Sequence, residues 1–141
     1  TVATVSNTGG GGNSTTLNMT GNKGQVSVTT VGATNTTSVT QSAYGTTGAQ
    51  AIINITGSGN GTTVTQSGLF DQYANIGVTG SSNTITLSQS GGNGTGAGQS
   101  ATMSVTGDSN VISATQQGTV SNMLNMVVSG NTNHYTILQK N

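Results

Sequence analysis

The sequence predicts an all-β fold, a β-solenoid of about six stacked two-stranded (strand–turn–strand) rungs with cross-β geometry. Apolar and polar residues alternate with the period of two that is typical of strands, and no segment has the three-to-four-residue spacing of a helix. The composition agrees, because Thr, Val and Ile are abundant and Pro is absent. A short motif also recurs five times in the 141 residues, which is typical of repeat architectures.

The repeat consists of Gly, two residues, Asn, apolar residues or Thr two and four positions later, and Gln six positions after the Asn. It reads GATNTTSVTQ at 32–41, GSGNGTTVTQ at 57–66, GSSNTITLSQ at 80–89, GDSNVISATQ at 107–116 and GNTNHYTILQ at 130–139. A degenerate copy, GGGNSTTLNM at 10–19, has Met19 where the Gln would stand. We therefore predict one continuous solenoid domain, with a degenerate first rung at 1–21 and five repeats at approximately 22–45, 46–68, 69–95, 96–118 and 119–141.

The strand that precedes each copy shows the same alternation. Counting back from the Gly, the residues two, four and six positions earlier are apolar or Thr, for example Val78, Ile76 and Ala74. We expect these residues, with the apolar ones of the second strand, to fill a thin interior. The connecting loops differ in length while the strands do not, which fits a solenoid that places insertions on one side.

Neutral amides recur at fixed positions of the repeat, and stacking gives them partners. Rungs lie about 4.8 Å apart, so identical amides can pair along the stack and avoid burial without a hydrogen bond. Asn beside Gly is common in any turn, but a turn alone does not explain Gln at a fixed distance. The sequence predicts structural amide ladders of Asn35, Asn60, Asn83, Asn110 and Asn133, of Gln41, Gln66, Gln89, Gln116 and Gln139, and of the amides that begin the first strands, Gln25, Gln50, Gln72, Gln99 and Asn122. The predicted turn glycines are Gly32, Gly57, Gly80, Gly107 and Gly130.

The composition excludes several classes of function. Charged residues make up 3% of the chain, against about 25% in typical domains, so the Lys and Arg clusters that bind nucleic acid are missing. His134, the single histidine, and two distant Asp residues provide neither a metal centre nor paired catalytic carboxylates. No apolar run approaches the roughly 20 residues of a membrane-spanning helix. We expect a protein that is not an enzyme, needs no cofactor or metal, binds no nucleic acid and does not insert into a membrane.

The pattern Asn-x-Φ-x-Φ-x-Gln, with Φ an apolar residue, followed by Ser-Gly or Gln-Gly resembles the curlin repeat of curli major subunits. The fit is clearest in NVISATQQG at 110–118 and NTITLSQSG at 83–91, and it extends from about residue 22 to 141. The resemblance implies a secreted subunit that stacks rungs into a cross-β amyloid fibre of the biofilm matrix, with secretion and nucleation partners. The chain begins TVATVSNT, so we expect that a signal peptide has been removed.

The ends of such a solenoid are open strand edges, which proteins usually protect with charges, Pro or a capping element. The sixth rung ends in HYTILQKN, where Lys140 is the only charged residue, and no capping helix is encoded. We therefore expect chains to stack end to end into an open-ended homopolymeric filament.

Two alternative functions use other surfaces of the same fold. The residues three and five positions after each Asn form outward columns of mostly Ser and Thr, similar to the arrays of ice-binding solenoids. A segment of an adhesin or phage-fibre shaft would instead bind through its loops. The candidate loop anchors or lateral contacts are Tyr44, Leu69, Phe70 and Tyr73.

Overall fold

The computed structural model describes residues 1–44, 48–91 and 98–141. Within these ranges the chain forms twelve strands: β1 Val2–Thr8, β2 Ser14–Met19, β3 Gln25–Val31, β4 Thr36–Ala43, β5 Ala49–Thr56, β6 Gly61–Gly68, β7 Gln72–Thr79, β8 Thr84–Gly91, β9 Gln99–Thr106, β10 Val111–Gly118, β11 Asn122–Ser129 and β12 His134–Lys140. None of the described residues belongs to a helix that could cross a membrane.

The strands form two parallel six-stranded sheets, and the predicted β-solenoid is confirmed. The odd-numbered strands follow one another in the first sheet, and the even-numbered strands do so in the second. Each rung is one strand of the first sheet, a short turn and one strand of the second, so β1 and β2 make rung one and β11 and β12 make rung six. The predicted repeat boundaries at 45/46 and 95/96 lie outside the described residues.

The register places equivalent residues of successive repeats directly over one another. In the second sheet, Gln66 pairs with Gln89 and Gln89 with Gln116, although their repeats differ in length. Length differences are therefore confined to the connections between rungs. A parallel in-register stack is what allows one residue type to form a continuous column.

The interior is a thin apolar layer between the sheets, at the inward positions that the alternation predicts. In rung four, Ala74, Ile76 and Val78 of β7 and Ile85 and Leu87 of β8 are all buried. In the described part of the chain the buried set contains no charged side chain. Burial of these side chains supplies the main apolar contribution to stability, about 1.5–3 kcal/mol for each large one.

Three buried threonines interrupt this apolar layer. The hydroxyl oxygens of Thr30, Thr37 and Thr62 have no hydrogen-bond partner among the described residues. Thr62 pairs in register with Ile85, which occupies the same inward column one rung later. The column thus accepts a purely apolar side chain, and the unpaired hydroxyl destabilises the fold.

Replacement of Thr62 by Val is expected to raise the free energy of unfolding by about 1 kcal/mol, because it removes a buried unpaired hydroxyl with little change in shape. Denaturant unfolding followed by far-ultraviolet circular dichroism measures the change. Thr63→Val is the matched control, since Thr63 is exposed on the same strand and should change stability by less than about 0.5 kcal/mol. A lower stability of Thr62→Val than of the wild type would show that the hydroxyl is paired.

Candidate functional site

The predicted asparagines lie in one column, which Asn13 continues into rung one. The members from Asn35 to Asn110 are buried, and Asn13 and Asn133 at the two ends are half-buried. Asn83 illustrates the geometry: its backbone N–H and its Nδ2 each donate to Oδ1 of Asn60, both at 3.0 Å. Its Nδ2 also donates to the carbonyl of Gly107 in the next rung at 2.8 Å, and its Oδ1 accepts two hydrogen bonds from Asn110. Every polar atom of this side chain is therefore used, which makes the buried amide favourable.

The asparagine column holds the turns of successive rungs together. Gly80, the first turn residue of rung four, has φ of +126°, and a Cβ there would overlap the carbonyl oxygen of Gly107 above it. Ser82, which immediately precedes Asn83, also lies in the left-handed region with φ of +58°. The same conformation recurs at Thr34, Ser109 and Thr132. A left-handed non-glycine residue costs about 1–2 kcal/mol, so the asparagine hydrogen bonds stabilise a turn that is otherwise strained.

The predicted glutamines form a second column whose hydrogen bonds run in the opposite direction. Nε2 of Gln66 donates to Oε1 of Gln89 at 2.9 Å, and Nε2 of Gln89 donates to Oε1 of Gln116 at 2.8 Å. Hydrogen bonds between asparagine side chains are thus donated toward rung one, and those between glutamine side chains are donated toward rung six. Each Nε2 also reaches the first strand of its own rung, as Gln89 does to the carbonyl of Tyr73. The column therefore joins neighbouring rungs and also joins the two sheets.

The predicted ladder of the amides that begin the first strands is wrong, because these residues do not form one continuous column. Gln50 pairs in register with Tyr73, whereas Gln72 pairs with Ala49. The five amides therefore fall into two columns that differ by one residue in register: Gln25 and Gln50 in one, and Gln72, Gln99 and Asn122 in the other. The turn glycine sets the register, and it follows Gln50 by seven residues but Gln72 by eight. A shift of one residue moves a side chain to the other face of the sheet. Gln72 and Gln99 are buried, Gln25 is exposed, and the Oε1 atoms of Gln72 and Gln99 have no partner among the described residues.

Two further columns contribute to the stack and were missed from the sequence. Three residues that directly follow a turn glycine accept a hydrogen bond from the turn below, namely Ser58, Asp108 and Asn131. The carboxylate of Asp108 accepts from the backbone N–H of Ser81 at 2.6 Å, and Oδ1 of Asn131 accepts from that of Asp108 at 2.7 Å. At the far ends of the second-sheet strands, Gly68 and Gly91 stack so closely that a Cβ on Gly68 would overlap the carbonyl of Gly91. The recurring Gln-x-Gly spacing was the available signal for this second glycine column.

The candidate loop anchors differ in exposure and in the elements to which they belong. Tyr44 and Leu69 are exposed beside the ends of β4 and β6, and Phe70 is half-buried. Tyr73 is not a loop residue as predicted, because it lies in β7 on the outward side and pairs with Gln50 and Ser100. The described residues include no cluster of three or more metal-ligating side chains.

The outer face of the second sheet is a regular array of hydroxyl groups. One register column consists of Thr16, Ser38, Thr63, Thr86, Ser113 and Thr136. The neighbouring outward column is also hydroxyl-rich, with Thr40, Thr65, Ser88 and Thr115 between Asn18 and Leu138. The first sheet has one hydroxyl-rich outward column, with Val31 in register with Thr8, Thr56, Thr79, Thr106 and Ser129, but its other outward residues include Ile52 and Met123.

No protein-family model, curated protein or solved structure matches this chain.

Proposed function

We propose that this protein is the structural subunit of a secreted, curli-like functional amyloid fibre of the extracellular matrix. Chains stack head to tail, so that rung six of one chain pairs with rung one of the next. The observation that carries the proposal is the pair of uniform, hydrogen-bonded amide columns, which repeat rung after rung with the same cross-section. Another rung can add to the end of such a stack because it has the same shape and the same hydrogen-bonding groups as the rungs already there.

The exposure of the end rungs supports stacking. Val5 of rung one is 43% exposed, whereas Val28 directly above it in the same inward column is fully buried. Tyr135 of rung six is likewise 43% exposed, and Ile112 below it is 1% exposed. Another rung on either end would cover these side chains and remove apolar surface from water.

The edges also carry few of the features that prevent edge-to-edge association. Neither β1 nor β2 contains a charged residue or a proline, and in β12 only Lys140 carries a charge when His134 is neutral. Like charges stacked every ~4.8 Å would repel one another, so the low charge of the whole chain favours a long stack. No catalytic residue, cofactor or metal is part of this proposal.

Fibre diffraction and electron cryomicroscopy of the purified 141-residue chain at neutral pH test the proposal. We expect filaments with a 4.7–4.8 Å reflection along the fibre axis and, from six rungs per subunit, an axial subunit rise of about 29 Å. A monodisperse, folded monomer that forms no such filament at high concentration would refute it.

Ice binding is a second candidate, favoured by the hydroxyl columns on the second sheet. Their regular spacing along and across the strands resembles a lattice that ordered water can match. Thermal hysteresis of the soluble chain tests this function, and Thr63→Tyr together with Thr86→Tyr would abolish it by placing bulky rings on the array. If the wild type shows no thermal hysteresis, ice binding is refuted. The hydroxyl columns are then an uncharged, solvated strand surface.

A further inference from the structure

The glutamine column stops at Met19, and this leaves one buried group without a partner. Met19 pairs in register with Gln41, so it stands where a glutamine of rung one would donate to Gln41. Oε1 of Gln41 is buried and has no hydrogen bond among the described residues. A Cβ on Gly24 would lie 3.1 Å from this oxygen and 3.2 Å from Cε of Met19, so both groups border the same small space.

The asparagine column has matching open groups at its two ends. Within the described residues, the backbone N–H of Asn13 has no acceptor and Oδ1 of Asn133 has no donor, whereas Asn83 and its neighbours use both groups. Nδ2 of Asn13 donates to the carbonyl of Gly32 in rung two at 2.7 Å. On its outer side, where Nδ2 of Asn83 donates to another asparagine, it makes only an exposed 3.3 Å bond to the carbonyl of Gly10. The donors at rung one therefore fit the acceptor at rung six of another chain.

The two ends of the glutamine column do not complement each other in this way. Gln139 is the last residue of the column, and its Nε2 donates only to the carbonyl of Met123 at 3.1 Å, whereas Gln116 uses its Nε2 twice. When a second copy stacks on rung six in register, the free N–H of Gln139 faces Met19, whose thioether sulfur is a weak acceptor.

We infer that Met19 makes the boundary between stacked chains the weakest rung contact in the filament. The asparagine ladder crosses this boundary, but the glutamine ladder ends at Gln139 and resumes only at Gln41 of the next chain. One residue thus leaves a donor and an acceptor unpaired in every subunit. This inference rests on the proposed head-to-tail stacking and names the register and the hydrogen bonds of that contact.

The test compares Met19→Gln with Met19→Leu, which keeps the break, and with Met123→Gln, a matched control on an outward side chain that is 76% exposed. Assembly of each chain to completion and measurement of the monomer left in the supernatant gives the critical concentration. Met19→Gln is expected to lower it about five- to tenfold, because a hydrogen bond between buried amides contributes on the order of one tenfold step in affinity. Met19→Leu and Met123→Gln are expected to stay within about twofold of the wild type.

A second measurement concerns the single chain. Denaturant unfolding below the critical concentration should show Met19→Gln to be more stable than the wild type, because Gln41 gains its donor. A destabilised or unfolded Met19→Gln chain would overturn the inference, as would an unchanged critical concentration in chains that do form filaments. If no variant forms filaments, the proposed function fails, and the inference about the boundary fails with it.

Discussion

Gly80→Ala is expected to abolish or severely weaken the folded state, with a loss of at least about 4 kcal/mol in the free energy of unfolding. The new Cβ would overlap the carbonyl oxygen of Gly107, which is backbone and cannot move without separating the rungs. The φ of +126° is also a conformation that alanine avoids. Circular dichroism of the purified variant and its denaturant midpoint provide the measurement.

Gly77→Ala is the matched control for this prediction, because it is the same substitution three residues earlier in the same rung. A Cβ at Gly77 would meet nothing within 4 Å, and the residue lies within strand β7. Glycine in a strand interior is destabilising by roughly 0.5–1 kcal/mol relative to alanine, so this variant should be slightly more stable than the wild type. Equal stabilities of the two variants would show that the turn glycines do not stack as described.

Asn83→Asp is expected to cost about 4 kcal/mol or more at neutral pH, since it places a carboxylate in the buried asparagine column. Asn83 donates through Nδ2 to Oδ1 of Asn60 and to the carbonyl of Gly107. An ionised carboxylate has no hydrogen to donate, so one of its oxygens would face these two acceptors.

The stability of Asn83→Asp is expected to depend on pH, and the direction follows from the pKa of the introduced carboxyl. Burial and the facing oxygens raise the pKa of the introduced carboxyl in the folded state above the value of about 3.9 in the unfolded chain. A raised pKa means that the folded state binds the proton more tightly, so the variant is least destabilised below about pH 4 and loses stability as pH rises through the folded-state pKa. Denaturant unfolding at several pH values between about 3 and 8 measures the slope.

Asn54→Asp provides the control, because Asn54 is an exposed residue of strand β5. Its introduced carboxyl should leave stability within about 0.5 kcal/mol of the wild type at every pH. Few other groups titrate in this range, since the chain has only two Asp or Glu residues and one His, and the wild type measured in parallel gives the background. A flat pH profile for Asn83→Asp would mean that the asparagine column is accessible to water.

Much of the fold could be predicted from local pattern. The alternation with a period of two assigns Ile76 and Val78 to the interior, and the fixed Asn-to-Gln spacing aligns Gln89 with Gln116 despite repeats of different length. These features are local because a strand residue's face depends only on its position in the strand.

The sequence by itself therefore determined the strand alternation, the stacking of repeats and the asparagine and glutamine columns. The sequence also contains the seven- and eight-residue spacings to the turn glycine that place Gln50 and Gln72 on opposite faces. The tertiary structure alone decided that Oε1 of the buried Gln72 has no partner among the described residues. It also decided the opposite directions of the two ladders and the unpaired oxygen of Gln41. An amide carries both donor and acceptor, so residue type cannot specify which neighbour it donates to. That choice depends on which oxygen the stacked backbone brings within reach.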